Sequence, residues 1–191
     1  MPADVFEQFA EDYDRWFDEH RAEYRAELAR IRRLLPGPDA RAVEVGIGSG
    51  RFAAPLGIPL GIEPSPVLGR MARERGIEVI RGRAEAIPLR DGVCSSALVV
   101  TVICFLGDPV PAFCEIHRIL APQGILVIGF LEREGPVARK YLHGEGKHRF
   151  LSRARFYSPD EVRELLGRTG FCVTEVESRA GFSVIAAQKD G

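Results

Sequence analysis

The sequence predicts a doubly wound α/β fold, in which helices cover both faces of a mainly parallel β-sheet. From residue 42 onward, short apolar runs alternate with segments of helical spacing, as expected for repeated βαβ units. Several runs are apolar on both faces, which is typical of buried parallel strands. The 191 residues, 46% of them hydrophobic, suffice for one ordinary domain. We therefore expect a single domain over residues 1–191 with a seven-stranded sheet.

The first 35 residues are predicted to form a helical cap. Apolar residues recur at helical spacing from Val5 to Leu35, which predicts two helices ended by Pro36-Gly37-Pro38. The first 20 residues are acidic and amphipathic, whereas a secretion signal begins with basic residues and continues as an apolar run. We therefore expect no export and a cytoplasmic location.

The elements after this cap follow in alternation. Parallel strands are expected at residues 42–45, 59–62, 77–80, 97–103 and 125–131, with helices near residues 50–54, 66–75 and 110–120. A further helix is expected at residues 159–167, opened by Ser158. The last two apolar runs, 171–177 and 182–187, are joined by a turn too short for a crossover helix. They are therefore predicted to form an antiparallel hairpin.

Composition excludes several classes of partner. A net charge of -1 gives no field that would hold nucleic acid by charge alone. No apolar run approaches the roughly 20 residues of a membrane span. The four cysteines lack the spacing of a metal site and have apolar neighbours, so we expect reduced thiols in the core and no metal. They are Cys94, Cys104, Cys114 and Cys172.

The segment VEVGIGSGR, residues 43–51, is the strongest functional signal. A predicted strand runs directly into Gly46, Gly48 and Gly50, and a helix is expected to follow. Glycines at such a position let the backbone approach a ligand closely, with the N–H groups of the helix start facing it. A glycine loop of this kind can also be only a tight turn, so its context decides between the two.

That context is Glu63, which ends the next apolar run. A carboxylate there can accept hydrogen bonds from both ribose hydroxyls of an adenosine-containing ligand. The alternative is that Glu63 caps the helix opened by Pro64-Ser65-Pro66, or lies in its first turn. Together with the glycine loop, Glu63 predicts a nucleoside cofactor.

Two details favour a sulfonium cofactor over a nicotinamide dinucleotide. The loop reads G-x-G-x-G, whereas the dinucleotide fingerprint is G-x-G-x-x-G. Glu44 lies inside an apolar strand, where its burial is costly unless a cation or hydrogen-bond donor meets it. The ammonium of a bound amino acid would suit Glu44, directly or through water, whereas a pyrophosphate would be repelled. The alternative for Glu44 is a surface salt bridge with Arg41 or Arg51.

At this point the chain resembles the class I S-adenosylmethionine-dependent methyltransferases, in particular the small-molecule enzymes of the ubiquinone/menaquinone-biosynthesis type. Six segments are similar to family motifs in the expected order: VEVGIGSG, GIEPSP, GRAEAIPLRDG, LVVTVICFLGDP, EIHRILAPQGILVIG and RFYSPDEVRELLGRTGF. The resemblance implies a Rossmann-like fold, S-adenosylmethionine as cofactor and S-adenosylhomocysteine as product. It also implies that the cofactor is bound by Tyr13, Glu44, Gly46, Ile47, Gly48, Gly50, Glu63, Pro64, Ala84, Glu85 and Thr101.

The chain departs from the family pattern at three places. Arg83 replaces the usual Asp before Ala-Glu, so the adenine amino group must be met by the backbone or by Glu85. Pro122-Gln123-Gly124 replaces Pro-Gly-Gly, and Cys94-Ser95 replaces Phe-Asp. The resemblance further implies that the N-terminal helices fold over the cofactor, with Tyr13 near the sulfonium.

Residues 132–157 fit neither period and contain seven Lys or Arg against three Glu. We expect them to form a lid over the acceptor, and their charge suits an anionic or electron-rich small molecule. Methyl transfer requires no dedicated nucleophile, because the cofactor supplies the electrophile. Candidate bases are Tyr13, Tyr141, His143 and His148, each of which can also be a structural or surface residue.

Two alternatives to a small-molecule methyltransferase follow from the same residues. A nicotinamide oxidoreductase would contain the same βαβ units, although the spacing of the glycines argues against it. A noncatalytic module that binds the cofactor and regulates a partner has no distinguishing sequence feature, because methyl transfer needs no obligatory catalytic side chain. The acceptor atom and the oligomeric state stay open.

Overall fold

The computed structural model describes residues 3–37, 39–143 and 150–190. Seven strands form one sheet in the order β3-β2-β1-β4-β5-β7-β6. The neighbours from β3 to β5 are parallel, whereas β7 is antiparallel to both β5 and β6. The predicted seven-stranded sheet with an antiparallel C-terminal hairpin is therefore confirmed. The strands are β1 Ala42–Val45, β2 Leu60–Glu63, β3 Glu78–Arg81, β4 Cys94–Val100, β5 Leu120–Leu131, β6 Phe171–Arg179 and β7 Phe182–Lys189.

Helices cover both faces of this sheet. Alternate residues of β4 point to opposite faces. Ala97 and Val99 join a core with Phe113, whereas Leu98 and Val100 join a second core with Ile31. The described helices are α1 Ala3–Gln8, α2 Ala10–Glu19, α3 Arg21–Leu34, α4 Ala53–Leu56, α5 Pro66–Glu74, α6 Val110–Ile119, α7 Pro136–Leu142 and α8 Pro159–Arg168.

The N-terminal cap contains three helices where the sequence predicted two. The helix breaks at Phe9 and His20, whose ψ angles of 34° and 46° are not helical. Each break takes only one residue out of the helical path, so the apolar spacing continues across it. Periodicity alone therefore does not reveal these joints.

The fourth strand ends three residues earlier than predicted. Thr101 has a left-handed φ of 58°, and a 3-10 turn follows over Val102–Phe105. Val102 and Ile103 are as buried as the strand before them. The apolar run therefore continues past the end of the strand, and its length led to the wrong boundary. The turn directs this segment over the carboxyl edge of the sheet.

The prediction for the cysteines is only half right. All four are free, but Cys114 and Cys172 are exposed while Cys94 and Cys104 are buried. Cys114 follows the buried Phe113 in α6 but is not on the buried face of that helix. Cys172 lies in β6, which is an edge strand of the sheet. Apolar neighbours in sequence do not reveal which face of such an element is covered.

Within the described ranges, no helix is long and apolar enough to cross a membrane.

Candidate cofactor and acceptor site

A cavity of about 530 Å³ lies at the carboxyl ends of the parallel strands. The chain moves outward from β1 to β3 and then returns to β4 on the other side of β1. Such a reversal leaves a crevice beside the carboxyl ends of the strands, where doubly wound proteins bind ligands. The cavity extends from Glu63 at the end of β2 to Phe182 at the start of β7, and α1, α2, α3 and α7 contribute to its wall.

The glycine loop forms part of the cavity surface with its backbone. Gly46 and Gly48 line the cavity at φ angles of 73° and 57°. A Cβ on Gly46 would lie 2.3 Å from Val102, and one on Gly48 would lie 3.2 Å from the Tyr13 hydroxyl. Side chains are therefore excluded at both positions, which keeps the loop backbone accessible to a ligand.

Glu63 is held in a fixed orientation beside this loop. Its Oε2 accepts a hydrogen bond from the Gly48 N–H at 2.8 Å, and its Oε1 accepts one from the Ser65 N–H at 2.9 Å. Burial raises the pKa of Glu63, and the two N–H groups act against this. Each carboxylate oxygen keeps a further lone pair, so Glu63 can still accept from two ribose hydroxyls.

The helix-capping alternative for Glu63 is wrong. Ser65 is the N-cap of α5, and its hydroxyl accepts from the Leu68 N–H at 3.4 Å. Glu63 is the last residue of β2 and lines the cavity. Its carboxylate therefore connects the glycine loop to the start of α5.

Glu44 is buried below the loop and does not line the cavity. Burial raises the pKa of Glu44 well above its usual range, although the Ala53 backbone N–H donates to its carboxyl group. Among the described residues, no group bonds to its Oε2. The surface salt-bridge alternative is wrong, because Glu44 is 2% exposed and Arg51 pairs with Asp14 and Asp18.

Tyr13 lines the cavity next to Gly48. Burial, together with the negative charges of Glu63 and Glu44, raises the pKa of its phenol. The hydroxyl therefore keeps its proton at neutral pH and can donate a hydrogen bond. Tyr13 is thus suited to contact a ligand and unsuited to act as a general base.

The remaining residues predicted for the cofactor divide into two groups. Pro64 and Thr101 line the cavity, whereas Ile47, Gly50, Ala84 and Glu85 do not. Ile47 packs against Gly61, and a Cβ on Gly50 would lie 2.7 Å from Ile77. Glu85 forms a salt bridge with Arg83 at 3.2 Å. The adenine contacts expected at Ala84 and Glu85 stay a prediction.

A buried carboxylate attaches the helical cap to the glycine loop. Asp14 of α2 accepts hydrogen bonds from Arg51, which follows the loop, and from Arg75, which follows α5. Arg75 also donates to the Ser49 carbonyl at 2.8 Å. We call Asp14, Arg51 and Arg75 the cap clasp. It holds Tyr13, the neighbour of Asp14, against the cavity.

Acidic side chains that were not among the sequence predictions line the opposite end of the cavity. Glu23 and Glu27 of α3 are cavity residues, as is His20 before the helix. Glu27 occupies the helical stripe of Tyr24 and Ile31, whose other members are apolar. This interruption of an apolar stripe by a carboxylate is the signal in the sequence that could have revealed it.

Burial raises the pKa of Glu27 to about 7 from its ordinary value of 4.5, with Arg30 acting against the shift and Glu23 adding to it. Between these pH values the folded state keeps a proton that the unfolded state releases. The wild type therefore loses stability as the pH rises through this window.

We expect the Glu27→Gln variant to exceed the wild type in unfolding free energy by about 1–3 kcal/mol at pH 8, with no gain at pH 5. Denaturant titration at both pH values measures the difference. Glu164→Gln, which removes one exposed carboxylate from α8, is the control and should show no pH-dependent gain. An equal effect of Glu27→Gln at both pH values would contradict the shifted pKa.

The structure separates the base candidates of the lid segment. Tyr141 lines the cavity, His143 is exposed and does not, and His148 lies outside the described residues. Of Arg133, Arg139, Lys140 and Arg155, whose side chains the structure describes, Lys140 lines the cavity and the three arginines do not. Arg133 instead pairs with Glu161.

Fold and site together define an α/β protein built to bind a nucleoside cofactor at its glycine loop. A methyltransferase domain model matches residues 43–128. A Thermotoga maritima structure, described as an S-adenosylmethionine-dependent methyltransferase and possible histamine N-methyltransferase, is 38% identical with a TM-score of 0.90. The alignment covers 97% of this chain and 99% of that one. This chain belongs to the class I S-adenosylmethionine-dependent methyltransferases, and its cofactor is S-adenosylmethionine.

Three curated proteins are similar to this chain over most of its length, and one of them is named as a methyltransferase. An uncharacterised protein of Methanocaldococcus jannaschii is 35% identical, covering 87% of this chain and 80% of the relative. A malonyl-[acyl-carrier protein] O-methyltransferase of Geobacter sulfurreducens is 30% identical, covering 90% of this chain and 70% of the relative. An uncharacterised Mycobacterium tuberculosis relative is longer, since the 37% identical match spans only 58% of it. The nicotinamide alternative is set aside.

Proposed function

We propose that the protein transfers the methyl group of S-adenosylmethionine to a small molecule held in the aromatic half of the cavity. The observation that carries this proposal is that one continuous cavity joins Glu63 and the glycine loop to a second region walled by α1, α3 and α7. A donor and an acceptor can therefore lie in contact within it. Alignment of the two reactants and exclusion of water are the main requirements of such a transfer.

We further propose which residues of the cofactor half contact S-adenosylmethionine. We assign the ribose hydroxyls to Glu63, whose two oxygens are oriented by Gly48 and Ser65. The backbone at Gly46 and Gly48 is open to the amino-acid portion, and the Tyr13 hydroxyl is available as a donor beside it. The unpartnered Oε2 of Glu44, below the loop, suits a contact through water. When bound, the cofactor supplies an electrophilic methyl group.

Most residues that line the acceptor half are apolar or aromatic, which supports a small organic acceptor. Helices α1, α3 and α7 contribute to its wall. We propose that residues 132–157 act as its lid, because α7 contributes Val137, Lys140 and Tyr141 to the wall. The aromatic rings of the cavity are those of Phe6, Tyr13, Trp16, Phe17, Phe52, Phe105, Tyr141, Phe150 and Phe182.

The relatives do not specify the acceptor atom. The Thermotoga maritima protein is described as a possible histamine N-methyltransferase, and the Geobacter sulfurreducens protein as an O-methyltransferase for a protein-bound malonyl group. These acceptors differ in size and in nucleophile. The choice for this chain must therefore come from its own cavity residues.

We expect S-adenosylhomocysteine to raise the melting temperature by several degrees and NAD to leave it unchanged. A ligand that binds only the folded state stabilises it by about 2.7 kcal/mol at one hundred times its Kd. Differential scanning fluorimetry measures both shifts. Incubation of a metabolite extract with methyl-labelled cofactor then tests for turnover. A larger shift with NAD would sink the cofactor assignment, and binding without any labelled product would favour the regulatory module.

A further inference from the structure

The acidic end of the cavity is distant from the ribose site. Glu27 lies one helical turn before Arg30, which donates to the Phe182 carbonyl at 2.9 Å. Phe182 begins β7, which is four strands from β2 in the sheet. At about 4.8 Å between neighbouring strands, this corresponds to roughly 19 Å. Glu27 therefore belongs to the acceptor half of the cavity, and Glu23 lines the cavity one helical turn before it.

Both carboxylates lack a partner within the part of the chain that the structure describes. Glu23 and Glu27 are one turn apart on α3, yet the basic residue next to them is engaged elsewhere. Arg30 pairs with Glu177 at 2.7 Å and donates to three backbone carbonyls. Glu23 is exposed and Glu27 is partly buried, and Arg30 offsets the burial of Glu27 only in part. This end of the cavity is therefore suited to receive a further cation.

The other titratable groups that face the acceptor half do not neutralise this pair. His20 donates through Nδ1 to the Trp16 carbonyl at 3.0 Å and stacks on the Trp16 ring. From α7, Lys140 and Tyr141 line the cavity, and Tyr13 lines it from α2. Among the residues of this end that the structure describes, one lysine stands against two carboxylates, so their summed charge is negative. Aromatic rings nearby add attraction for a cation.

We propose that the acceptor is an organic amine whose ammonium group binds the Glu27 and Glu23 carboxylates, and that Glu27 takes up its proton. This inference rests on the proposed function and specifies its substrate class. The anionic acceptor expected from the basic lid segment would instead meet two carboxylates of like charge. The aromatic wall then holds an apolar body attached to the amine.

The proton transfer makes the amine a nucleophile. An ammonium has no lone pair, so one N–H bond must break and its proton pass to the Glu27 carboxylate. The freed lone pair forms the new N–C bond with the methyl carbon, while the electron pair of the broken C–S bond returns to sulfur. The product is a methylated ammonium, and the Glu27 proton passes to solvent. Charge and atoms balance without a further reactant.

Three probes of similar shape test the choice of acceptor. Binding of 2-phenylethylamine, 2-phenylethanol and phenylacetate to the S-adenosylhomocysteine complex is measured by ligand-detected NMR titration at pH 8. We expect the amine to bind at least about tenfold more tightly than the alcohol or the acid, the ratio for one charge-assisted hydrogen bond. Equal binding of amine and alcohol, or preference for phenylacetate, overturns the proposal.

Two variants test whether Glu27 causes the preference for the amine over the alcohol. In Glu27→Gln the amine should exceed the alcohol by less than about threefold, while affinity for S-adenosylhomocysteine is unchanged. Glu164→Gln, which makes the same change in net charge on α8, should keep the wild-type preference. A preference retained in Glu27→Gln removes this residue from the site. If S-adenosylhomocysteine itself fails to bind the wild type, the proposed function fails rather than the amine assignment.

Proton linkage distinguishes a proton acceptor from a merely structural carboxylate. Amine affinity of the wild type should rise about tenfold from pH 5.5 to pH 8, as Glu27 ionises, and stay flat in Glu27→Gln. At pH 6 calorimetry in buffers of different ionisation enthalpy should show close to one proton released on amine binding. No release in the wild type, or equal release in the variant, overturns the role of Glu27.

Discussion

Replacing Glu63 with alanine should weaken S-adenosylhomocysteine binding at least tenfold and up to about 150-fold. The lower figure corresponds to one lost charge-assisted hydrogen bond of about 1.5 kcal/mol, and the higher to two. The carboxylate also fixes the Gly48 and Ser65 N–H groups, so its loss loosens the loop that faces the ligand. Titration calorimetry of the folded variant measures the affinity directly.

A 2′-deoxyribose analogue of S-adenosylhomocysteine isolates the ribose contact. Wild type should bind the analogue more weakly than the parent ligand, and Glu63→Ala should not discriminate between the two. Ser158→Ala is the matched control, because it removes the capping box of α8 and costs about 0.5–2 kcal/mol of stability away from the cavity. Its ligand affinity should be that of wild type. Unchanged affinity of Glu63→Ala, with discrimination retained, would remove Glu63 from the cofactor site.

The parts of the molecule that sequence could predict are local in the chain. Residues 43–51 contain both the strand and the glycines that end it, and Glu63 ends the next strand at a spacing set by the βαβ unit. The hairpin at Arg179-Ala180-Gly181 follows from the length of its turn. Ser158 opens α8 with the predicted cap, because a capping box needs only residues within one helical turn.

Features that depend on packing between distant segments were not predictable. The breaks at Phe9 and His20 leave the apolar period intact, and the apolar run through Thr101 hides the end of β4. Glu27 faces a cavity only because α3 lies across the β7 end of the sheet. The exposure of Cys172 depends on β6 being an edge strand.

The ion pairs of the cap clasp were also not predictable from the sequence. Asp14 is 37 residues from Arg51 and 61 from Arg75 in sequence, and all three lie among many other ionisable residues. Charge pairing at such separations leaves no periodic signal. Arg51 is close enough in sequence to be a candidate partner for Glu44, but in the folded chain it pairs with Asp14.

Replacing Asp14 with alanine should lower the free energy of unfolding by about 2–4 kcal/mol. Asp14 is 9% exposed and accepts four charge-assisted hydrogen bonds from Arg51 and Arg75 at 2.6–3.0 Å. Removing one partner of a buried ion pair typically costs about 3–5 kcal/mol, and the partial exposure of both arginines reduces this. Asp18→Ala, which removes a half-exposed partner of Arg51, should cost clearly less than Asp14→Ala, because solvent screens this pair.

The acid dependence of Asp14→Ala separates the charge of the cap clasp from its packing. Removal from water acts to raise the pKa of Asp14, but the bonds from Arg51 and Arg75 outweigh it and lower the pKa to about 2. The contribution of Asp14 is thus complete above its ordinary value of 3.8 and is lost as the pH falls towards 2. The difference between wild type and Asp14→Ala in denaturant titrations should therefore shrink from pH 5 to pH 2.5. Because α2 also places Tyr13 beside Gly48, the variant should bind S-adenosylhomocysteine more weakly at pH 7. A difference in stability that is independent of pH, or no larger than that of Asp18→Ala, would show that the clasp does not attach the cap through its charges.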